Sequence, residues 1–270
     1  MTRLPTPVDD VEYRVVSRAL VTGSIVDLRL EPMHAPITTW RAGQYVLLGD
    51  VNYTVPVRSY SIANAASGDG SIRLLVTLVP GGGLSVWVHN VLQTGMSVLL
   101  SGPYGMFGAR IAEGMDDPVL CLAGGSGIAP MIAFAESVVQ RAVPSPFAVL
   151  FSARTAADII DESRWRAWVR QYRHFRFDRT LTREAGEPLA GRIPGLLGSV
   201  YPDLSRHEVC VAGNPCFVRD CARAAREHGA RAGHVNIEEF FAEPQPWSSI
   251  AATASTSTRI DDDNDLHQDG

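Results

Sequence analysis

The chain has 270 residues, 46% of them hydrophobic, which allows two domains with real cores and excludes a fibrous or wholly disordered protein. The net charge of −5 falls to −1 without residues 245–270, which hold five aspartates and one arginine, so we expect no nucleic-acid partner. No run of about 18 apolar residues predicts a membrane span, and no secretion signal is recognisable, so we expect a cytoplasmic protein.

The first hundred residues predict a small antiparallel barrel. Short segments rich in β-branched and aromatic residues recur at close spacing, and one helix from Leu84 to Val91 interrupts them. The predicted strands are Tyr13 to Leu20, Ser24 to Leu30, Gln44 to Gly49, Val57 to Ala63, Ser71 to Val79 and Ser97 to Leu100.

After Pro118 the pattern changes to alternating strands and helices, which predicts a doubly wound parallel sheet. Ligands of such sheets bind at the carboxyl ends of the strands, so the following loops are the candidate sites. The predicted strands are Val119 to Ala123, Ala148 to Phe151, Phe175 to Leu181 and Glu208 to Ala212, with helices near 128–142, 163–172 and 215–228.

The segment Arg58-Ser59-Tyr60-Ser61 ends a predicted barrel strand and suits a flavin nucleotide. Arginine binds pyrophosphate bidentately, a tyrosine ring can lie against an isoalloxazine ring, and a serine hydroxyl can reach the polar edge of that ring. About twenty residues later, Gly81-Gly82-Gly83-Leu84-Ser85 opens the predicted helix, whose free N–H groups attract phosphate. Either segment alone is typical of ordinary surface, but together they predict a dinucleotide site.

A second nucleotide site is predicted on the parallel sheet. Gly124-Gly125-Ser126-Gly127 lies between a strand and a helix at the expected switch point, and the turn containing Gly213 follows another strand. Arg154, Arg183 and Arg192 fall on the loops at this edge, where together they would hold a 2′-phosphate.

The end of the chain divides into two parts. Glu238-Glu239-Phe240-Phe241 closes the last β-like stretch, where adjacent phenylalanines are usually core residues. Beyond it, residues 245–270 are rich in Ser, Thr, Ala and Asp and predict a disordered acidic tail.

Four strings in this order resemble the ferredoxin–NADP(+) reductase superfamily, and the bacterial-type enzymes in particular. They are R-S-Y-S, G-P-Y-G-M-F at 102–107, G-G-S-G-I-A-P and A-G-N-P, within a similarity that extends from about 11 to 241. Further matches are T-R-E with L-A-G-R-I-P, and the aromatic ending G-H-V-N-I-E-E-F-F. Two departures are Ala212, where many relatives have a cysteine, and the extension 242–270.

The resemblance implies FAD and NADP(H) as cofactors and assigns residue roles. Arg58, Tyr60 and Ser61 would bind the flavin, with Gly82 and Ser85 at its pyrophosphate. The catalytic set would be Ser61, Glu238 and Phe240, with Glu238 near the flavin, Phe240 covering its ring and Phe241 extending toward it. The remaining implied cofactor-binding residues are Ser59, Gly83, Gly125, Ser126, Arg154, Arg183, Arg192 and Gly213.

The implied activity is electron transfer between NAD(P)H, with NADPH favoured, and a separate carrier such as ferredoxin or flavodoxin. One alternative is the NADH-dependent reductase of a ring-hydroxylating oxygenase. It would need a separate ferredoxin, because the four cysteines lack the C-x4-C-x2-C spacing of an iron–sulfur site. Others are a reductase of free flavin or ferric chelates, and a flavin-binding sensor.

The expected organisation is a monomer with two domains and a tail. An FAD-binding barrel would occupy residues 1–112, an NADP(H)-binding α/β domain residues 113–243, and the tail residues 244–270. No metal site is expected.

Overall fold

The computed structural model describes residues 5–113, 117–142, 144–184, 189 and 191–241. The predicted acidic tail therefore lies outside the described residues. Among the helices of the described part, none is long and apolar enough to cross a membrane.

The first half forms a six-stranded antiparallel sheet in the order β4-β3-β6-β1-β2-β5. A bridge between Ile62 and Leu74 joins the chain after β4 to β5, so the sheet nearly closes into the predicted barrel. Its elements are β1 (Val8–Thr22), β2 (Ile25–Pro32), β3 (Tyr45–Asp50), β4 (Arg58–Ser61), β5 (Ile72–Thr77), α1 (Gly83–Asn90) and β6 (Ser97–Tyr104), followed by α2 (Ala109–Glu113).

The second half forms the predicted parallel sheet, in the order β11-β10-β7-β8-β9. The strand order reverses between the neighbours β7 and β10, which places the topological switch point there. Its elements are β7 (Val119–Gly124), α3 (Ile128–Gln140), β8 (Phe147–Ala153), α4 (Glu162–Gln171), β9 (Phe175–Leu181), α5 (Ile193–Val200), β10 (Glu208–Gly213), α6 (Pro215–Glu227) and β11 (Val235–Glu239).

Helix α3 joins the cores of the two halves. Its residues from Ile128 to Glu136 are all buried, because one apolar cluster combines them with strand residues of the parallel sheet and with Ala63 and Leu75 of the barrel. The strongly apolar sequence of this helix follows from its central position, since no face of its first turns meets solvent.

Two helices were not predicted, and one strand was predicted too short. Helix α5 contains Gly195 and Gly198, which lower helix propensity; a Cβ at position 198 would lie 2.3 Å from the His228 ring. Helix α2 has only five residues, too few for a periodic pattern. Strand β6 continues to Tyr104 through Gly102 and Pro103, which are typical strand breakers.

Candidate active site at the domain interface

The predicted flavin strand β4 pairs with β3, and the pairing adds an aromatic residue that the sequence did not single out. Tyr45 on β3 lies opposite Ser61 and, on its other side, opposite Tyr104 of β6. The two tyrosine rings lie 5.8 Å apart at their centroids. Burial raises the pKa of Tyr60, with Arg58 acting in the opposite direction, so the Tyr60 hydroxyl stays protonated. The strand therefore offers aromatic surface beside a fixed cation.

Ser61 meets Glu238 across the two domains, 177 positions apart in sequence. The Ser61 hydroxyl donates to Glu238 Oε2 at 3.0 Å. Burial raises the pKa of Glu238 from 4.5 to about 7, although the Ser61 hydrogen bond lowers it. Burial together with the Glu238 charge also raises the pKa of Tyr45. A carboxyl group that titrates near neutral pH thus lies at the end of the predicted flavin strand.

The aromatic residues after β11 lie against the second predicted nucleotide turn. The Phe240 N–H donates to the Gly213 carbonyl at 2.7 Å. Phe240 is half-buried, whereas Phe241 is 48% exposed. The structure therefore brings the aromatic ending and the Gly213 turn together.

The predicted phosphate turn of the barrel leads into α1, with Gly82 as its N-cap. The buried Ser85 hydroxyl accepts a hydrogen bond from the Val79 N–H at 3.1 Å, so this hydroxyl stabilises the turn. The N–H groups of Gly83, Leu84 and Ser85 belong to the first turn, where an α-helix supplies no acceptor. These N–H groups, together with Arg58, are the donor set that a diphosphate requires.

At the switch point, the turns after β7 and β10 touch through small residues. A Cβ on Gly127 would lie 2.1 Å from the Ala212 carbonyl oxygen, and a Cβ on Gly124 would lie 3.1 Å from the Phe217 ring. Gly125 has φ +56 and is exposed, and the adjacent Ser126 is half-buried. Close approach of backbone, which only glycine permits here, leaves the edge of the sheet open to a nucleotide.

The loops after β8 and β9 bring two of the three predicted arginines together. The Arg183 N–H donates to the Arg154 carbonyl at 2.9 Å, and both residues are exposed. Arg192 is the N-cap of α5, next to Gly191, whose carbonyl accepts from the Thr180 hydroxyl of β9.

The same loops carry a carboxylate that interacts with backbone. Glu184 Oε2 accepts from the Ala156 N–H at 3.0 Å. In the described part of the chain, no ion pair joins a carboxylate to Arg154, Arg183 or Arg192. These exposed cations suit an anionic group at this edge.

Two family models match the two halves. Residues 12–108 match the oxidoreductase FAD-binding domain, and residues 121–223 match the oxidoreductase NAD-binding domain. The donor set on the barrel fits FAD, and the open switch point fits a nicotinamide nucleotide. No group of three or more metal-ligating side chains occurs among the residues with described positions.

Curated relatives include reductase components of oxygenases. The propane 2-monooxygenase reductase component of Mycolicibacterium smegmatis is 30% identical over 78% of this chain and 60% of that protein. The Ralstonia sp naphthalene 1,2-dioxygenase/salicylate 5-hydroxylase ferredoxin–NAD(P)(+) reductase component is 28% identical over 68% of this chain and 56% of that protein. The chain thus spans about 60% of the length of the curated relatives it matches.

Solved structures agree with the two-domain fold. The Amycolatopsis cytochrome P450 reductase GcoB has a TM-score of 0.78 and 26% identity, covering 88% of this chain and 71% of its own. A Neisseria gonorrhoeae ferredoxin NADP+ reductase with bound FAD and NADP has a TM-score of 0.73 and 22% identity, covering 87% of this chain and 100% of its own. With its FAD-binding barrel and NAD-binding parallel sheet, the chain belongs to the ferredoxin–NADP(+) reductase superfamily.

Proposed function

We propose that the protein is the flavoprotein reductase of an oxygenase system, which passes electrons from NAD(P)H to a separate one-electron carrier such as ferredoxin or flavodoxin. The observation that carries the proposal is the Ser61–Glu238 hydrogen bond of 3.0 Å, which joins the flavin strand to the nucleotide-binding half. The names of the relatives support the oxygenase setting. The three exposed arginines favour NADPH over NADH.

When bound, FAD supplies the conversion between hydride transfer and single-electron transfer. The residues of this chain supply position and proton control. Arg58 and the first turn of α1 hold the diphosphate, and Tyr60 supports the ring. Glu238, whose pKa is about 7, holds or releases a proton beside the reacting atoms, and the Ser61 hydroxyl orients that carboxyl group. Phe240, anchored at Gly213, covers the nicotinamide position.

A cytoplasmic monomer is part of the proposal. Residues suited to both nucleotides lie within one chain, and NAD(P)H is a cytoplasmic reductant. The domain boundary at 112/113 is likewise proposed, because the two family models end and begin on either side of it.

The proposal is tested by anaerobic mixing of the FAD-loaded protein with NADPH and, separately, NADH, while the visible flavin absorbance is followed. We expect bleaching by NADPH at lower concentration than by NADH, followed by reoxidation on addition of a ferredoxin. Preference for NADH would support the oxygenase reductase and remove the 2′-phosphate assignment. Reoxidation by ferric chelates or free flavin but by no protein carrier would favour the small-acceptor reductase. Absence of bleaching by either nucleotide would refute the enzyme and favour a sensor.

A further inference from the structure

A buried arginine joins the two domains at a distance from the Ser61–Glu238 pair. Arg73 on β5 is 3% exposed. Its guanidinium donates to Asp27 of β2 at 2.7 Å (Nη2) and 3.0 Å (Nε) within the barrel. It also donates to both carboxylate oxygens of Asp161 in the α/β half, through Nη2 at 2.9 Å and through Nη1. One planar cation therefore bridges a carboxylate of each domain.

The backbone of Arg73 is tied to the segment that directly follows the flavin strand. The Ala63 N–H donates to the Arg73 carbonyl at 2.8 Å, and the Arg73 N–H donates to Asn64 Oδ1 at 2.8 Å. Ser61 precedes this segment by two residues. A displacement of Arg73 is thus transmitted to the end of the strand that carries the Ser61 hydroxyl.

On the other domain, Asp161 is tied to the nucleotide-binding edge. It is the N-cap residue of α4, where its carbonyl accepts from the Arg164 and Trp165 N–H groups at 2.9 and 3.0 Å. The short turn that precedes Asp161 begins at Thr155, next to Arg154. Asp161 therefore reports the position of the loop that carries the predicted 2′-phosphate contact.

A second polar contact continues from the same network. Arg164 pairs with Asp161 at 3.9 Å and with Glu136 of α3. The other oxygen of the Glu136 carboxylate accepts from the Ala65 N–H of the barrel at 2.6 Å. The network thus holds the segment after the flavin strand at two points, both reached from the α/β half.

We propose that Arg73 and Asp161 are positioning residues that set the register between the flavin-binding and nucleotide-binding domains. The proposal rests on the proposed function for its kinetic part. Hydride transfer requires the two reacting rings to be held within a fraction of an ångström, and a displacement of 1 Å costs about 100-fold in rate. Transfer of electrons from reduced flavin to a small outer-sphere acceptor does not require the other domain to be in register.

The test is Asp161→Asn. Asparagine preserves the size of the side chain and tolerates the left-handed backbone at this position, φ 59, but it cannot pair ionically with Arg73. The matched control is Glu162→Gln, which removes a carboxylate at the next position whose partners, Arg166 and Arg179, lie in its own domain.

Two rates are measured on variants with equal FAD content. At saturating NADPH, we expect the limiting rate of flavin reduction in Asp161→Asn to fall at least ~10-fold. We expect reoxidation of chemically reduced flavin by ferricyanide to stay within about twofold, and Glu162→Gln to resemble the wild type in both rates. Equal reduction rates in the two variants, or a matching loss in both half-reactions, would overturn the proposal.

A second readout does not depend on turnover. Cys216 is exposed on α6, and Val91, 50% exposed, lies at the end of α1. Spin labels on Cys216 and on Val91→Cys measure the distance between the domains. We expect the distribution to broaden in Asp161→Asn and not in Glu162→Gln. An unchanged distribution would overturn the register role even if no nucleotide reduced the wild-type flavin, an outcome that by itself would refute only the proposed function.

If Asp161→Asn fails to fold, Arg73→Lys takes its place, since lysine keeps the charge but cannot donate to both carboxylates in the same geometry. The same selective loss of flavin reduction is expected. Failure of both variants to fold, under conditions where Glu162→Gln is folded, would show a role in stability alone and would overturn the proposal.

Discussion

Replacing Glu238 by glutamine should stabilise the protein above neutral pH and leave it unchanged in acid. The pKa of this carboxyl group is about 7 in the folded protein and 4.5 ordinarily. Between these values the folded state keeps a proton that the unfolded state has released, so the stability contributed by Glu238 falls as pH rises through this window and is constant above it. Glutamine is neutral throughout and has no such pH dependence.

The magnitude follows from the difference between the two pKa values. At about 1.36 kcal/mol per pH unit, the change from 4.5 to about 7 corresponds to about 3 kcal/mol. Glu238 is only half-buried, so water screens part of this cost, and about 1–3 kcal/mol is the expected gain for the variant at pH 8. For a chain of this size, each kcal/mol raises Tm by about 2–4 °C.

The assay is thermal unfolding of FAD-saturated protein at pH 5 and pH 8, comparing the wild type with Glu238→Gln. Glu239→Gln serves as the control, because Glu239 is the exposed neighbour on the same strand. The Tm difference between Glu238→Gln and the wild type should be near zero at pH 5 and positive at pH 8. A difference that is the same at both pH values would show that burial of this carboxyl group does not perturb its titration, and the proposed proton role would lose its basis.

Two further outcomes test the nucleotide-binding half. Arg183→Ala should raise KM for NADPH at least ~10-fold more than KM for NADH, because only NADPH has the 2′-phosphate, whereas the exposed Arg206→Ala should change neither; equal increases for both nucleotides would contradict the assignment. Gly127→Ala should lower Tm and weaken binding of both nucleotides, because its Cβ would lie 2.1 Å from the Ala212 carbonyl oxygen; chemical denaturation and nucleotide titration measure the two effects, and wild-type values in both would contradict the close approach of the turns.

The sequence predicted both sheets because each has a clear local pattern. Short alternating strands indicated the barrel, and apolar strands separated by helices indicated the parallel sheet. These predictions were confirmed, with boundaries that moved by several residues in β1 and β6. Helix α5 was missed because its glycines serve close packing against His228, which local propensity does not reveal.

The candidate site depends on contacts that no local pattern encodes. Ser61 and Glu238 are 177 positions apart, and only the resemblance to a family placed both near a flavin. Tyr45 was missed because its place beside Ser61 depends on the register of β3 against β4. The roles assigned to Arg154, Arg183, Arg192 and the aromatic ending stay predictions, since the structure gives their positions and not their ligands.

Arg73 shows most clearly what a strand pattern cannot supply. An arginine in a strand ordinarily indicates a solvent-exposed face, yet the residues of β5 from Ile72 to Val76 are all buried. One face of β5 meets the barrel core, and the other is covered by the second domain, which also supplies Asp161 as a partner. The desolvation of this cation is offset only when both domains are in place, because removing one partner of a buried ion pair costs about 3–5 kcal/mol. Burial of Arg73 therefore ties the stability of the interface to the one arrangement in which the flavin strand and the nucleotide-binding loops face each other.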